Sequence, residues 1–115
     1  MAGNTTYLLF PAGMAESLAF KSTIEVAGHR IIGASSVASD PAMTLYEDWI
    51  SLPFIGTPQF DEALISAIAA HQVGVIFTPH AVIARHLQRL QDAEKLTAQL
   101  IIEPFARRAT AMQQA

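Results

Sequence analysis

The chain has 115 residues, which is room for one domain with a sizeable core but not for a second. Hydrophobic residues make up 51% and charged residues only 15%, so part of the apolar surface must be covered by packing or by another body. A net charge of -3 gives no steering toward nucleic acid, and the absence of cysteine excludes a disulfide framework, a thiolate nucleophile and a thiolate metal site.

The first six residues carry no basic group, and the apolar run behind them breaks at Pro11. Neither a signal peptide nor a membrane span is expected, and the cytoplasm is the default location. Tyr7-Leu8-Leu9-Phe10 does not alternate, as suits a central parallel strand covered on both faces. After Pro11-Ala12-Gly13, residues 14–27 follow a helical pattern, with Phe20, Ile24 and Ala27 at i, i+4 and i+7 and Leu18 near the same face. Gly28 ends that helix in the left-handed conformation usual at C′. Residues 30–34 form a second strand, completing a right-handed βαβ unit.

Residues 35–45 are small and polar, with Asp40-Pro41 able to start a turn or a single helical turn. Residues 46–49 are short and amphipathic, suited to covering a sheet edge. Residues 52–54 form a brief extended segment that Pro53 assigns to an edge. Thr57-Pro58 places a cap before a proline at the first helical position, and Phe60, Leu64 and Ile68 mark one face of a helix reaching about His71. Residues 73–77 are another apolar strand, weakened locally by Gly74, and Thr78-Pro79 repeats the cap-and-proline start. Ile83, Leu87 and Leu90 stripe the helix that follows, which ends between residues 92 and 96. Leu100-Ile101-Ile102 reads either as a fifth strand or as continued helix, and the tail from Ala106 favours helix with little to pack against. The rhythm predicts a Rossmann-like α/β domain: three layers around a small, mostly parallel sheet of four or five strands over residues 1–103, with 104–115 a tail or the start of a further segment.

In such sheets ligands lie beyond the carboxyl ends of the strands, where the strand order reverses. With the order 3-2-1-4, residues 11–16 and 78–80 flank that point, and residues 34–40 reach the same edge. Gly13 lets the backbone approach a ligand, or serves the turn alone; Met14 follows it at the start of the helix. Glu16 stands in the first turn, where a carboxylate favours the helix whether or not it accepts from a substrate amine or hydroxyl. Ser35 and Ser36 are hydrogen-bond donors to a ligand, or turn formers. His80 suits donation to an anion or service as a base, with a solvated helix-start residue as the alternative. No G-x-G-x-x-G, phosphate-binding lysine loop or nucleophile elbow is present, the histidines are scattered, and Glu47-Asp48 diverge on a short turn, so no metal site is expected.

The segments Leu9-Phe10-Pro11-Ala12-Gly13-Met14-Ala15-Glu16, Ile31-Ile32-Gly33-Ala34-Ser35-Ser36 and Ile76-Phe77-Thr78-Pro79-His80 together resemble the N-terminal, pre-ATP-grasp domain of ATP-grasp ligases. The likeness is to carboxylate-amine ligase-like proteins related to the carbamoyl-phosphate synthase large chain, and it covers residues 6–103. It implies a Rossmann-like domain preceding two further domains that use ATP and magnesium to activate a carboxylate as an acyl phosphate for attack by an amine. This domain then supplies one wall of the acceptor-substrate site through Gly13 and Glu16, with His80 lining the same crevice. The implied partners are the ATP-grasp domains and a small carboxylate or amine substrate, and neither nucleic acid nor membrane. No cofactor is expected in this chain; ATP and magnesium belong to the full-length protein, and the 115 residues alone are expected to be inactive. The alternatives are a stand-alone ligand- or protein-binding module, possible as a homodimer, and a complete small enzyme, against which the missing cofactor fingerprints weigh.

Overall fold

A computed structural model describes residues 5–102. Five strands, β1 (Thr6–Leu9), β2 (Arg30–Ser35), β3 (Asp48–Ser51), β4 (Val75–Thr78) and β5 (Gln99–Ile102), form one sheet in the order β3-β2-β1-β4-β5. Every pairing is parallel. Parallel strands need crossovers: α1 (Ala15–Val26), α2 (Pro58–His71) and α3 (Ala81–Asp92) supply three, and residues 36–47, with the 3₁₀ helix Pro41–Leu45, supply the one from β2 to β3.

Side chains alternate along a strand, and this divides the core in two. Leu8, Ile32, Ala34 and Ile76 turn toward one face, where Phe60, Leu64 and Ile68 of α2 and Ile83, Leu87 and Leu90 of α3 cover them. Leu9 and Phe77, on the other face, meet Ile24 of α1 and Tyr46 in a smaller core, with Leu18, Phe20 and Trp49 packed around it. Phe20 stacks on Phe77 at 4.1 Å between centroids and 7° between planes. The chain is thus a three-layer, Rossmann-like α/β domain with a five-stranded parallel sheet.

Local signals place most boundaries. Gly28 has φ 84°, the left-handed value expected after α1. Ala27, expected on the apolar face, is instead the exposed C-cap. Gln72 ends α2 at φ 54°. The third strand is shifted: it occupies Asp48–Ser51 rather than residues 52–54, so Trp49 lies in the sheet and not on an edge-covering turn. Leu52 N is still able to donate to Ser35 O (2.9 Å), but Pro53 has no N–H to continue the ladder. Residues 100–102 are strand, not continued helix.

The cap-and-proline positions hold at α2, where Thr57 is the N-cap and Pro58 opens the helix, but they shift at α3. Thr57 precedes α2 without a side-chain cap bond, because its Oγ1 donates to Phe54 O (2.8 Å). Thr78 ends β4, and the cap of α3 is His80, two residues later. The division at residues 103 and 104 and the expected helical tail fall outside the described residues. No described helix is long and apolar enough to cross a membrane.

Candidate functional site

Parallel strands deliver all their following connections to one edge of the sheet, and there the β1–α1 turn is tied by four hydrogen bonds. Phe10 N donates to Phe77 O (3.0 Å) and Ala12 N to Ala34 O (2.9 Å), so the turn is anchored to the ends of β4 and β2. Ser17, fully buried in the first turn of α1, donates through Oγ to Pro11 O (2.6 Å). Tyr46, 34 residues further along, donates through its hydroxyl to Ala12 O (2.8 Å). Gly13 and Met14 are therefore held in place by neighbours rather than by their own side chains. Met14 is the N-cap of α1 and offers no side-chain cap bond.

Around this turn lies a cleft of about 400 Å³, lined by Phe10, Pro11, Gly13 and Met14 from the first connection and by Ser35, Ser36, Val37 and Asp40 beyond β2. Phe54 and Ile55 close it from the loop before α2, and His80 and Ile83 from the start of α3. The volume falls in the range of small-molecule sites, and the place is the crevice at the reversal of strand order. Five of the six residues singled out in the sequence, Gly13, Met14, Ser35, Ser36 and His80, converge on it. Glu16 does not line it; it stands half-buried in the first turn of α1.

The polar groups in the cleft are already partly engaged. Ser35 Oγ accepts from Val37 N (3.0 Å) and keeps its hydroxyl hydrogen, whereas Ser36 donates its own to Pro53 O (2.9 Å), joining the end of β2 to the loop after β3. His80 N donates to Thr78 Oγ1 (3.1 Å), and His80 Nδ1 accepts a long bond from Ile83 N (3.5 Å). With Nδ1 assigned as acceptor, the neutral ring carries its proton on Nε2. His80 thus caps α3 with one nitrogen and has a donor at the other.

Asp40 was not legible as a site residue, because Asp-Pro is a common turn opening. Its Oδ1 does cap the short 3₁₀ helix Pro41–Leu45 by accepting from Ala42 N (2.9 Å). Its carboxylate also lies against the glycine turn: a methyl group built on Gly13 would meet Oδ1 at 3.4 Å, Oδ2 at 3.7 Å and Ala42 Cβ at 3.3 Å. The carboxylate is thus at ordinary contact distance from the turn, and only Ala42 Cβ would have to give slightly to a methyl group there.

Burial first, and the Asp40 charge second, push the Tyr46 phenol from 10.0 up to about 12. Lys21 Nζ stands 5.5 Å from the centre of its ring. A folded-state pKa above the unfolded one means that the neutral phenol's contribution is complete below about pH 10 and is lost as pH rises through about 12. Tyr46→Phe, which leaves Ala12 O without this donor, is expected to lower stability by about 1–3 kcal/mol near neutrality. Urea midpoints of both proteins should converge above about pH 10; a gap that stays constant would contradict the buried, neutral phenol.

No protein-family model and no curated protein matches the sequence. Among the described residues, no group of three or more histidine, aspartate or glutamate side chains could hold a metal ion.

Proposed function

We propose that this domain binds a small-molecule substrate in the cleft at the carboxyl edge of its sheet, as an accessory domain forming one wall of the acceptor site of an ATP-dependent carboxylate-amine ligase of the ATP-grasp type. The observation that carries the binding role is the convergence of Gly13, Met14, Ser35, Ser36 and His80 on one cleft at the reversal of strand order. The ligase assignment is supported by the sequence resemblance over residues 6–103. Glu16 enters this reading as the residue that holds the first turn of α1, next to Gly13 and Met14.

The residues of the cleft do not fit ATP and magnesium. Among the described residues no lysine or arginine lines it, and the one carboxylate among them lies against the turn where a phosphate would sit. In this reading the nucleotide and the metal are held by the ATP-grasp domains, and this chain contributes binding and orientation of the acceptor. A stand-alone binding module is the second reading, because the same cleft, lined by the segments after β1, β2 and β3 and by the start of α3, would serve a ligand without further domains.

The test is an amide NMR titration of the 115-residue chain with a panel of small carboxylates and amines, and separately with ATP and magnesium. At least one panel member is expected to shift Gly13, Met14, Ser35, Ser36 and His80, whereas ATP with magnesium shifts none of them and yields no ADP. Binding of ATP at these residues would overturn the division of labour. In a parent chain that carries the ATP-grasp domains this reading requires, ADP formation that needs both a carboxylate and an amine is expected; its absence leaves the stand-alone reading.

A further inference from the structure

The turn after β1 and the first N–H groups of α1 are the place where a Rossmann-like sheet ordinarily favours an anion. Here Asp40 is already beside that turn, fixed by its bond from Ala42 N and within van der Waals reach of a methyl group on Gly13. Only one of its oxygens is used in capping, and a carboxylate oxygen pair has about four acceptor positions. The remaining capacity lies in a cleft whose other charged or chargeable side chain, among the described residues, is His80.

Apart from Ser35 and Ser36, the rest of the described lining carries no polar side chain. Met14, Ile55 and Ile83 form the walls, and Val37 and Phe54 are 55% and 67% exposed, leaving hydrophobic surface at the rim. Apolar walls lower the local dielectric, which strengthens a charge-assisted bond to the carboxylate and equally strengthens its repulsion of an anion.

Resting on the reading of this cleft as a small-molecule site, we propose that Asp40 selects a ligand carrying a cationic amine on an apolar body and bars phosphates from the β1–α1 turn. The ammonium group is held by the free Asp40 oxygen, and a ring or branched chain covers Val37 and Phe54. The Ser35 hydroxyl hydrogen and His80 Nε2–H remain for a neutral acceptor on the same ligand. The feature that usually makes this turn a nucleotide site is thereby cancelled by one side chain from the next connection.

The proposal is tested on the ¹⁵N-labelled 115-residue chain with three probes of similar body: 2-phenylethylamine, 2-phenylethanol and phenyl phosphate. The amine is expected to shift the amides of Gly13, Val37 and Asp40 and to bind roughly tenfold more tightly than the alcohol, with no shift from phenyl phosphate. Asp40→Asn keeps an acceptor for Ala42 N; in it the preference for the amine over the alcohol should vanish and phenyl phosphate should gain binding. Asp40→Ser is a second neutral cap, read in the same way if the asparagine variant does not fold. A preference for the amine that survives in a folded neutral variant overturns the role of Asp40, as does equal binding of amine and alcohol, or binding of phenyl phosphate, in the unmodified chain. Each of these outcomes leaves the cleft itself a ligand site. If none of the three probes moves a cleft amide, the selectivity is wrong; if the wider carboxylate and amine panel also fails, the cleft reading falls with it.

Discussion

Phe60→Ala is expected to cost about 3–5 kcal/mol, the usual loss when a fully buried aromatic ring is cut back to a methyl. Phe60 has no exposed surface, stacks with Phe10 at 5.7 Å between centroids, and receives the edge of His86 at 5.8 Å. A domain of this size has on the order of 5–15 kcal/mol in total, so the variant should sit near its unfolding threshold. Phe10 is also a wall of the cleft, and removing the ring beneath it lets that wall sink. Urea unfolding should show a large fall in midpoint at unchanged slope, and Phe60→Leu should recover much of it. A loss under about 1 kcal/mol would mean that the larger core collapses around the gap without cost.

Gly33→Ala should destabilise where most strand glycines would gain. Alanine in a strand ordinarily recovers about 0.5–1 kcal/mol of backbone entropy relative to glycine. At Gly33 the added Cβ would stand 2.7 Å from Tyr46 Cγ, 2.8 Å from Tyr46 Cδ2 and 2.9 Å from Trp49 Cε3. Neither ring is a free chain end: Tyr46 is tethered through its hydroxyl to Ala12 O, and it packs edge-on against Trp49 at 5.7 Å. The steric term therefore wins, with an expected net loss of about 1–3 kcal/mol. Because the chain has a single tryptophan, its fluorescence reports the displacement directly. A thermal midpoint equal to or above that of the unmodified protein would show that β3 can move outward at little cost.

Much of the architecture was written in local pattern. Four apolar runs became central or edge strands, Gly28 ended a helix, and the spacing of Phe60, Leu64 and Ile68 named the buried face of α2. What failed depended on partners distant in sequence. Residues 46–49 look like an amphipathic turn until β2 is beside them, when Trp49 pairs with Gly33 and Asp48 with Ile32. Arg30 Nε also reaches Asp48 at 3.1 Å across that pairing. Thr78-Pro79 carried the pattern of a helix start, but Thr78 is the last residue of β4, and His80 supplies the cap instead.

The site was legible as an edge and not as a surface. The sheet topology singled out the connections after β1, β2 and β4, and these do meet. Asp40 and Phe54 escaped notice because a turn-opening aspartate and a loop phenylalanine acquire their meaning only from what stands opposite. Ser17 and Tyr46 escaped for the same reason: their bonds to Pro11 O and Ala12 O link residues that no periodicity associates.

The unequal division of the core has a bearing on how ligand occupancy would be felt. α2 and α3 share a large hydrophobic cluster, whereas α1 is the only described α-helix over the smaller one, which it closes together with Tyr46, and Ile24 is its one buried large apolar residue. Local opening draws on the least cohesive layer, so α1 can detach for less than the global cost of unfolding. Gly13 and Met14, the cleft residues that lead into that helix, then couple two equilibria. A molecule seated against them clamps the layer that opens most readily, and its affinity is reduced by whatever fraction of the time α1 is away.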